Sequence, residues 1–240
     1  PDRGGCFAEL QVLGEDFVVP LPAGANLDRL VMAQQLGTAV FAFRRFWPAP
    51  RRAAGHAVAI LGAGSAGLFL LQLARRAGFA VAIVGDRDTT RLEIARDLGA
   101  DTVVDTTTQP FEEAVAAVTG GTGADLVIEA AGPDTCRTAC VEAVRPAGRL
   151  GFFGLPEHRG LVPFPLDAAF RKGVTIEMVA GAQREPGLRA FRIAVELIES
   201  AAIDVGHLLA PRFPLDRVQE AMDAARTHAG VKVSVDVAGR

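Results

Sequence analysis

Between His56 and Gly181 short, largely apolar runs alternate with longer stretches of helical periodicity, and this rhythm restricts the fold more than any other feature. The apolar runs are HAVAILG, AVAIVG, DTVVD, ADLVIEAAG, RLGFFGL and VTIEMVAG. Between them lie SAGLFLLQLARRAG, TTRLEIARDLG, FEEAVAAVTGG, DTCRTACVEAVRPAG and DAAFRKG. A strand that is apolar on both faces belongs inside a parallel sheet covered on both sides. Each right-handed crossover then lays its helix over that sheet. The expectation is an α/β fold built on a doubly wound, six-stranded parallel sheet.

The rhythm changes at both ends. After Gly187, LRAFRIAVELIESAAI reads as a long helix, LLAPRFPL as a strand, DRVQEAMDAARTH as a helix and VKVSVDV as a closing strand. Asp216 with Gln219 forms a capping-box pattern, and Val231, Val233, Val235 and Val237 suit a strand with one buried face. Before Asn26, alternation in Phe7 to Val12 and in Phe17 to Leu21 suggests two strands divided by a turn at Gly14-Glu15-Asp16. The chain opens on Pro1 as though in the middle of a β-domain, so a segment upstream is expected. The expected divisions are residues 1–45, 46–185 and 186–240.

A net charge of −3 gives no general field for phosphate backbones or anionic membranes, so neither is an expected partner. No apolar run is long enough to span a bilayer, and no charged-then-apolar leader opens the chain. Cys6, Cys136 and Cys140 are too few and too oddly spaced for a disulfide framework, which points to a reducing cytoplasm. Cys136 and Cys140, one helical turn apart, read as buried thiols of a helix, since no further Cys or His stands near to complete a metal set.

The turn LGAGSAG places Gly62, Gly64 and Gly67 in G-x-G-x-x-G spacing, between a buried strand and a helix. In that context Gly62 allows the tight turn, Gly64 lets the backbone approach a diphosphate and Gly67 lets helix and strand pack closely. Ser65 and Ala66 open the helix, whose N-terminus favours the phosphates. Asp86 ends the second strand nineteen residues beyond Gly67, the place of an acid that holds the ribose diol and disfavours a 2′-phosphate. NAD is therefore expected over NADP. Arg87 either stacks on adenine or attracts a phosphate, and Arg91 either reaches the ribose edge or lies solvated on its helix.

With these residues in place, the chain resembles the medium-chain dehydrogenase/reductase family, in its zinc-type alcohol and polyol dehydrogenase branch. The resemblance rests on GGCFAEL, LGAGSAGLFLLQLARRAG, RLEIARDLGAD, TGGTGADLVIEAAG, VRPAGRLGFFGLP, RFPLDRVQEAMD and GVKVSVDV, in the family's order and over nearly the whole chain. It implies a Rossmann domain between remnants of a GroES-like catalytic domain at both ends, most of which is not in this sequence. It implies that Gln34 faces the catalytic metal position, that Thr38 contacts the nicotinamide end and that Gln35 is an ordinary neighbour. A neutral carboxamide is a poor zinc ligand, so Gln34 suits a substrate hydroxyl or a water better, and zinc is expected only with the upstream domain. His56, His158, His207 and His228 supply no replacement set and are expected at the surface.

The resemblance also implies that Ala130 and Ala131 line the cofactor groove. It has Phe153 and Leu155 flank the nicotinamide, with Met178 and Ala180 near its carboxamide. These apolar residues equally suit core packing. Lys232 matches a position that reaches the diphosphate, though a surface lysine reads identically. The implied activity is hydride transfer between a small alcohol or carbonyl compound and NAD, by a homodimer paired along the Rossmann sheet edge. Two alternatives stand beside it: a zinc-free quinone or enoyl reductase of the same superfamily, and a non-catalytic nucleotide-binding module.

Overall fold

The computed structural model describes residues 7–48, 53–183, 185–209, 211–227 and 231–237. Cys6 and His228 lie outside the described residues. The chain divides into two compact units, residues 35–182 and residues 1–34 with 183–240. Two helices come first, α1 (Leu27–Leu30) and α2 (Ala33–Phe46). The regular alternation follows: β1 (Ala57–Leu61), α3 (Ser65–Ala77), β2 (Val81–Asp86), α4 (Thr89–Asp97), β3 (Thr102–Asp105) and α5 (Phe111–Val118). It continues with β4 (Ala124–Glu129), α6 (Asp134–Ala143), β5 (Val144–Phe152), α7 (Leu166–Lys172) and β6 (Thr175–Met178).

The expected sheet is present, with all six strands parallel in the order β3-β2-β1-β4-β5-β6. In β1, Val58 pairs with Ala82 of β2 on one side and Leu126 of β4 on the other. Val58, Ala59, Ile60, Leu126, Val127 and Ile128 are all buried, which is why these segments read as unbroken apolar runs. The strand order reverses beside β1, and the crevice outside the carboxyl ends at such a reversal is where open α/β sheets bind ligands.

At the opposite end of the sheet Asp125 ties three elements together. Its Oδ2 accepts the Ala57 N–H at 2.8 Å, and its Oδ1 meets Arg145 Nε at 2.7 Å and His56 Nδ1 at 2.9 Å. Burial works against its charge, yet the Ala57 N–H, Arg145 and His56 outweigh it and hold its pKa below the ordinary value.

The second unit is built from short elements. A single 3-10 turn at Glu15–Phe17 precedes α1, which packs against α8 (Arg189–Glu199). α8 buries Ala190, Phe191, Ala194, Val195 and Ile198, one face at helical spacing. β7 (Arg212–Pro214), α9 (Val218–Arg226) and β8 (Ser234–Asp236) close the chain, with β7 and β8 a parallel pair. Arg212 is held between Asp28 at 2.9 Å and Asp236 at 3.1 Å.

Three expectations need correction here. Neither Phe7–Val12 nor Phe17–Leu21 is a strand: the alternation finds no strand partner, and Leu10 and Val12 are more than nine-tenths exposed. The Asp216–Gln219 box is replaced by a 3-10 turn at Leu215–Arg217. No side chain caps α9, Arg217 pairs with Glu220, and Gln219 donates to Asp223. Of the four closing valines only Val235 falls in β8, whose three residues are all half-buried, so β8 has no single buried face. Among the described residues no helix is long and apolar enough to cross a membrane.

Candidate cofactor site

The turn between β1 and α3 gives its three glycines three different surroundings. Gly62 has φ +109, and a Cβ there would stand 2.9 Å from the backbone of Ala130 and Ala131. At Gly67 a Cβ would stand 1.8 Å from the Gly62 carbonyl oxygen, so α3 can lie against the turn only without a side chain. At Gly64 a Cβ would meet nothing within 4 Å among the described residues. The turn is thus closed by protein on two glycines and open on the middle one, the position at which a diphosphate would approach. Gly64 is also the N-cap of α3 and no side chain caps it, which leaves the first N–H groups of Ser65, Ala66 and Gly67 to an anion. These residues fit a dinucleotide.

Asp86 stands at the end of β2, half-buried. Its Oδ2 accepts the Ala63 N–H at 2.6 Å and its Oδ1 accepts the Asp88 N–H at 3.0 Å. A carboxylate offers about four acceptor positions, so each oxygen retains one for a hydroxyl while it braces the glycine turn. Asp88 caps α4 through the N–H groups of Thr90 and Arg91. The Arg91 guanidinium lies 3.5 Å from Asp88, and Arg87 is exposed.

Beyond β1, the loops leaving β4 and β5 lie one on the other. Ala131 and Leu155 are exposed, Ala130 and Phe153 half-buried. Met178, at the end of β6, is 67% exposed, and Ala180 is exposed as well. Core packing therefore does not account for Ala131, Leu155, Met178 or Ala180.

Beneath these loops is Glu129, wholly buried at the end of β4, whose Oε1 accepts the N–H groups of Ala131 at 2.7 Å and Gly132 at 2.6 Å. Arg137, also buried, donates to the Gly132 carbonyl at 3.0 Å and pairs with Asp134, which in turn meets His158 Nδ1 at 2.9 Å. The Asp134 hydrogen bond raises the His158 pKa. Sequence reasoning does not single out Glu129 or Arg137. The available signal is an acid closing an otherwise apolar strand.

Cys136 and Cys140 lie on α6 as expected, Cys140 buried and Cys136 partly so. Burial, then the charge of Glu129, pushes the Cys136 thiol up to about 11 and holds Cys140 well above its ordinary value, which favours the protonated thiol at both.

Thr38 is half-buried on α2. Gln34 and Lys232, both exposed, belong to the other unit. Gln34 there lines a cavity of about 290 Å³ with Phe17, Val19, Leu21, Phe191 and Val195. Gln35 is not the ordinary neighbour expected, because its Oε1 is buried with no hydrogen-bond partner among the described residues. His207 likewise departs from a surface role, its side chain only 18% exposed beside Asp204. Among the described residues no group of three or more His, Cys, Asp or Glu side chains could hold a metal ion, so the described residues do not fit a catalytic zinc.

The zinc-binding dehydrogenase family model matches residues 66–200. An L-threonine 3-dehydrogenase of Bacillus licheniformis is 28% identical over 225 residues, covering 94% of this chain and 62% of the relative. A probable zinc-binding alcohol dehydrogenase of Mycobacterium tuberculosis is 32% identical over 235 residues, covering 95% of this chain and 56% of the relative. The solved structure of an alcohol dehydrogenase from Thermus sp. ATN1 superposes with a TM-score of 0.78 at 24% identity. That match covers 89% of this chain and 59% of the other, and bears on the fold alone. The chain spans about three-fifths of the length of the relatives it matches.

Proposed function

Because the chain belongs to the zinc-binding dehydrogenase family, we propose that its parallel-sheet unit binds NAD and serves hydride transfer between an alcohol or polyol and that cofactor. The open face of Gly64, between two glycines closed by backbone, is the observation that supports this most directly. The glycine turn and the N-terminus of α3 hold the diphosphate. Asp86 accepts the adenosine ribose hydroxyls on the lone pairs that Ala63 and Asp88 leave unused, and its charge disfavours a 2′-phosphate. Ala130, Ala131, Phe153 and Leu155 seat the nicotinamide end, with Thr38 of α2 toward the ring and Met178 and Ala180 toward its carboxamide. Lys232 is assigned to the diphosphate on the family resemblance alone. NAD, when bound, supplies the hydride acceptor at nicotinamide C4. The part of this chain is to bind and orient it.

Zinc enters this reading through the family alone, since no metal group is present among the described residues. A zinc-free reductase of quinones or activated alkenes is the second reading, favoured by the neutral side chain of Gln34. In the first reading the substrate is a small alcohol or carbonyl compound. Leu166, Phe170 and Met178, all more than two-thirds exposed around the β6 edge, support a homodimer paired along that edge. The cysteine pattern supports a cytoplasmic setting.

Calorimetric titration with NAD and NADP tests the proposal. NAD is expected to bind more tightly than NADP, and Asp86→Ala to weaken NAD about tenfold or more. NAD affinity untouched by Asp86→Ala, or no binding by the folded chain, overturns it.

A further inference from the structure

One residue organises both loops on the far side of β1. The Glu129 side chain accepts the Ala131 and Gly132 N–H groups through Oε1, while its backbone carbonyl accepts those of Phe153 at 2.9 Å and Gly154 at 3.1 Å. The two loops then meet at two glycines. At Gly132, with φ +105, a Cβ would stand 2.8 Å from the Leu155 carbonyl oxygen. At Gly154 it would stand 2.5 Å from the Gly132 nitrogen and 2.6 Å from Glu129 Oε2. That second oxygen is buried with no hydrogen-bond partner among the described residues. An unpaired buried acceptor carries a desolvation cost, so the fold alone gives no reason for a second carboxyl oxygen at this place.

The strand order indicates which part of a ligand these loops would meet. Asp86 ends β2, and the loops leave β4 and β5 across β1 from it. A dinucleotide held by its diphosphate at the β1 turn, with its adenosine on Asp86, extends its other half toward β4 and β5. Resting on the reading that this unit binds NAD, we infer that Glu129 is a positioning residue for the nicotinamide half of the cofactor. It sets residues 130–132 and 153–155 in one arrangement, so that exposed Ala131 and Leu155 form a preformed seat. It does so from beneath and touches neither cofactor nor substrate.

The test compares a whole cofactor with its adenosine half. NAD and ADP are titrated calorimetrically into the 240-residue chain and its variants. Glu129→Ala is expected to weaken NAD about tenfold and ADP less than about twofold. Glu129→Gln, which keeps an acceptor at Oε1, is expected to restore NAD to within about threefold of the native chain. Gly132→Ala pushes on the Leu155 carbonyl with the carboxyl group intact and is expected to give the same selective loss, so it decides the matter if Glu129→Ala does not fold. A merely structural role would weaken both ligands alike. Equal losses, or native NAD affinity in folded Glu129→Ala or Gly132→Ala, overturn the inference. A native chain that binds ADP and NAD equally well overturns it too, by showing no seat for the nicotinamide half. Failure of the native chain to bind either ligand overturns the cofactor reading itself and the inference with it.

Discussion

Residues 35–182 and the remaining unit meet the same physical demand in opposite ways. In the first, every interior strand is hydrogen-bonded on both sides, and the middles of β1, β2 and β4 are apolar because both their faces are buried, with Asp86, Asp125 and Glu129 kept at or beside the strand ends. In the second, the only sheet among the described residues is a pair of three-residue parallel strands, and such a pair is marginal by itself. Leu10 and Val12 are 91% and 96% exposed, in a segment whose alternation resembles that of a buried edge. An apolar pattern is thus a statement about a face, and it becomes structure only where a second face exists to receive it.

Substitutions can break this contrast. The largest effect is expected from Leu126→Ala at the centre of β4, where a wholly buried side chain is removed: a loss of about 2–5 kcal/mol in chemical denaturation. Asp125→Ala should follow at about 2 kcal/mol near neutral pH, since it removes charge-assisted hydrogen bonds from a partly buried site. Its pH dependence has a definite sign. The folded-state pKa of Asp125 lies below its ordinary value of 3.8, so its contribution is present above that value and lost as pH falls through the folded-state one. Denaturation curves of the native chain and Asp125→Ala should therefore converge in acid, and curves that stay parallel would discount the cluster. The smallest effect is expected from Val12→Ser, within about 0.5 kcal/mol. If Val12→Ser cost as much as Leu126→Ala, the distinction between the two units would be void.

The same contrast explains what could be read from the residues alone. The six strands and their helices were legible because a parallel sheet sandwiched by helices leaves an unbroken apolar signature, and the glycine turn was legible because its neighbours on both sides are regular. The opening segment was misread because alternation says nothing about whether a partner strand exists. Glu129 was missed for a different reason. Its hydrogen bonds run to its own loop and to a loop more than twenty residues away, and a lone acid after Ile128 looks like the end of a strand reaching water. The place of Asp86 at the end of a strand suggests a ligand group, but that it braces the Ala63 N–H depends on a register between β1 and β2 that only the folded chain displays. Gln34 and Gln35 could not be told apart by composition, and the structure makes Gln35 the one with a buried carbonyl.

The division of labour within the glycine turn has an evolutionary consequence. Gly62 and Gly67 are held by the architecture, because any side chain there collides with main chain, whereas Gly64 is held by none of the described residues. A descendant that had given up its nucleotide would keep the outer pair to remain foldable and let the central site drift. Side chains accumulating at that single site, while the flanking glycines persist, would be the fossil of a lost cofactor.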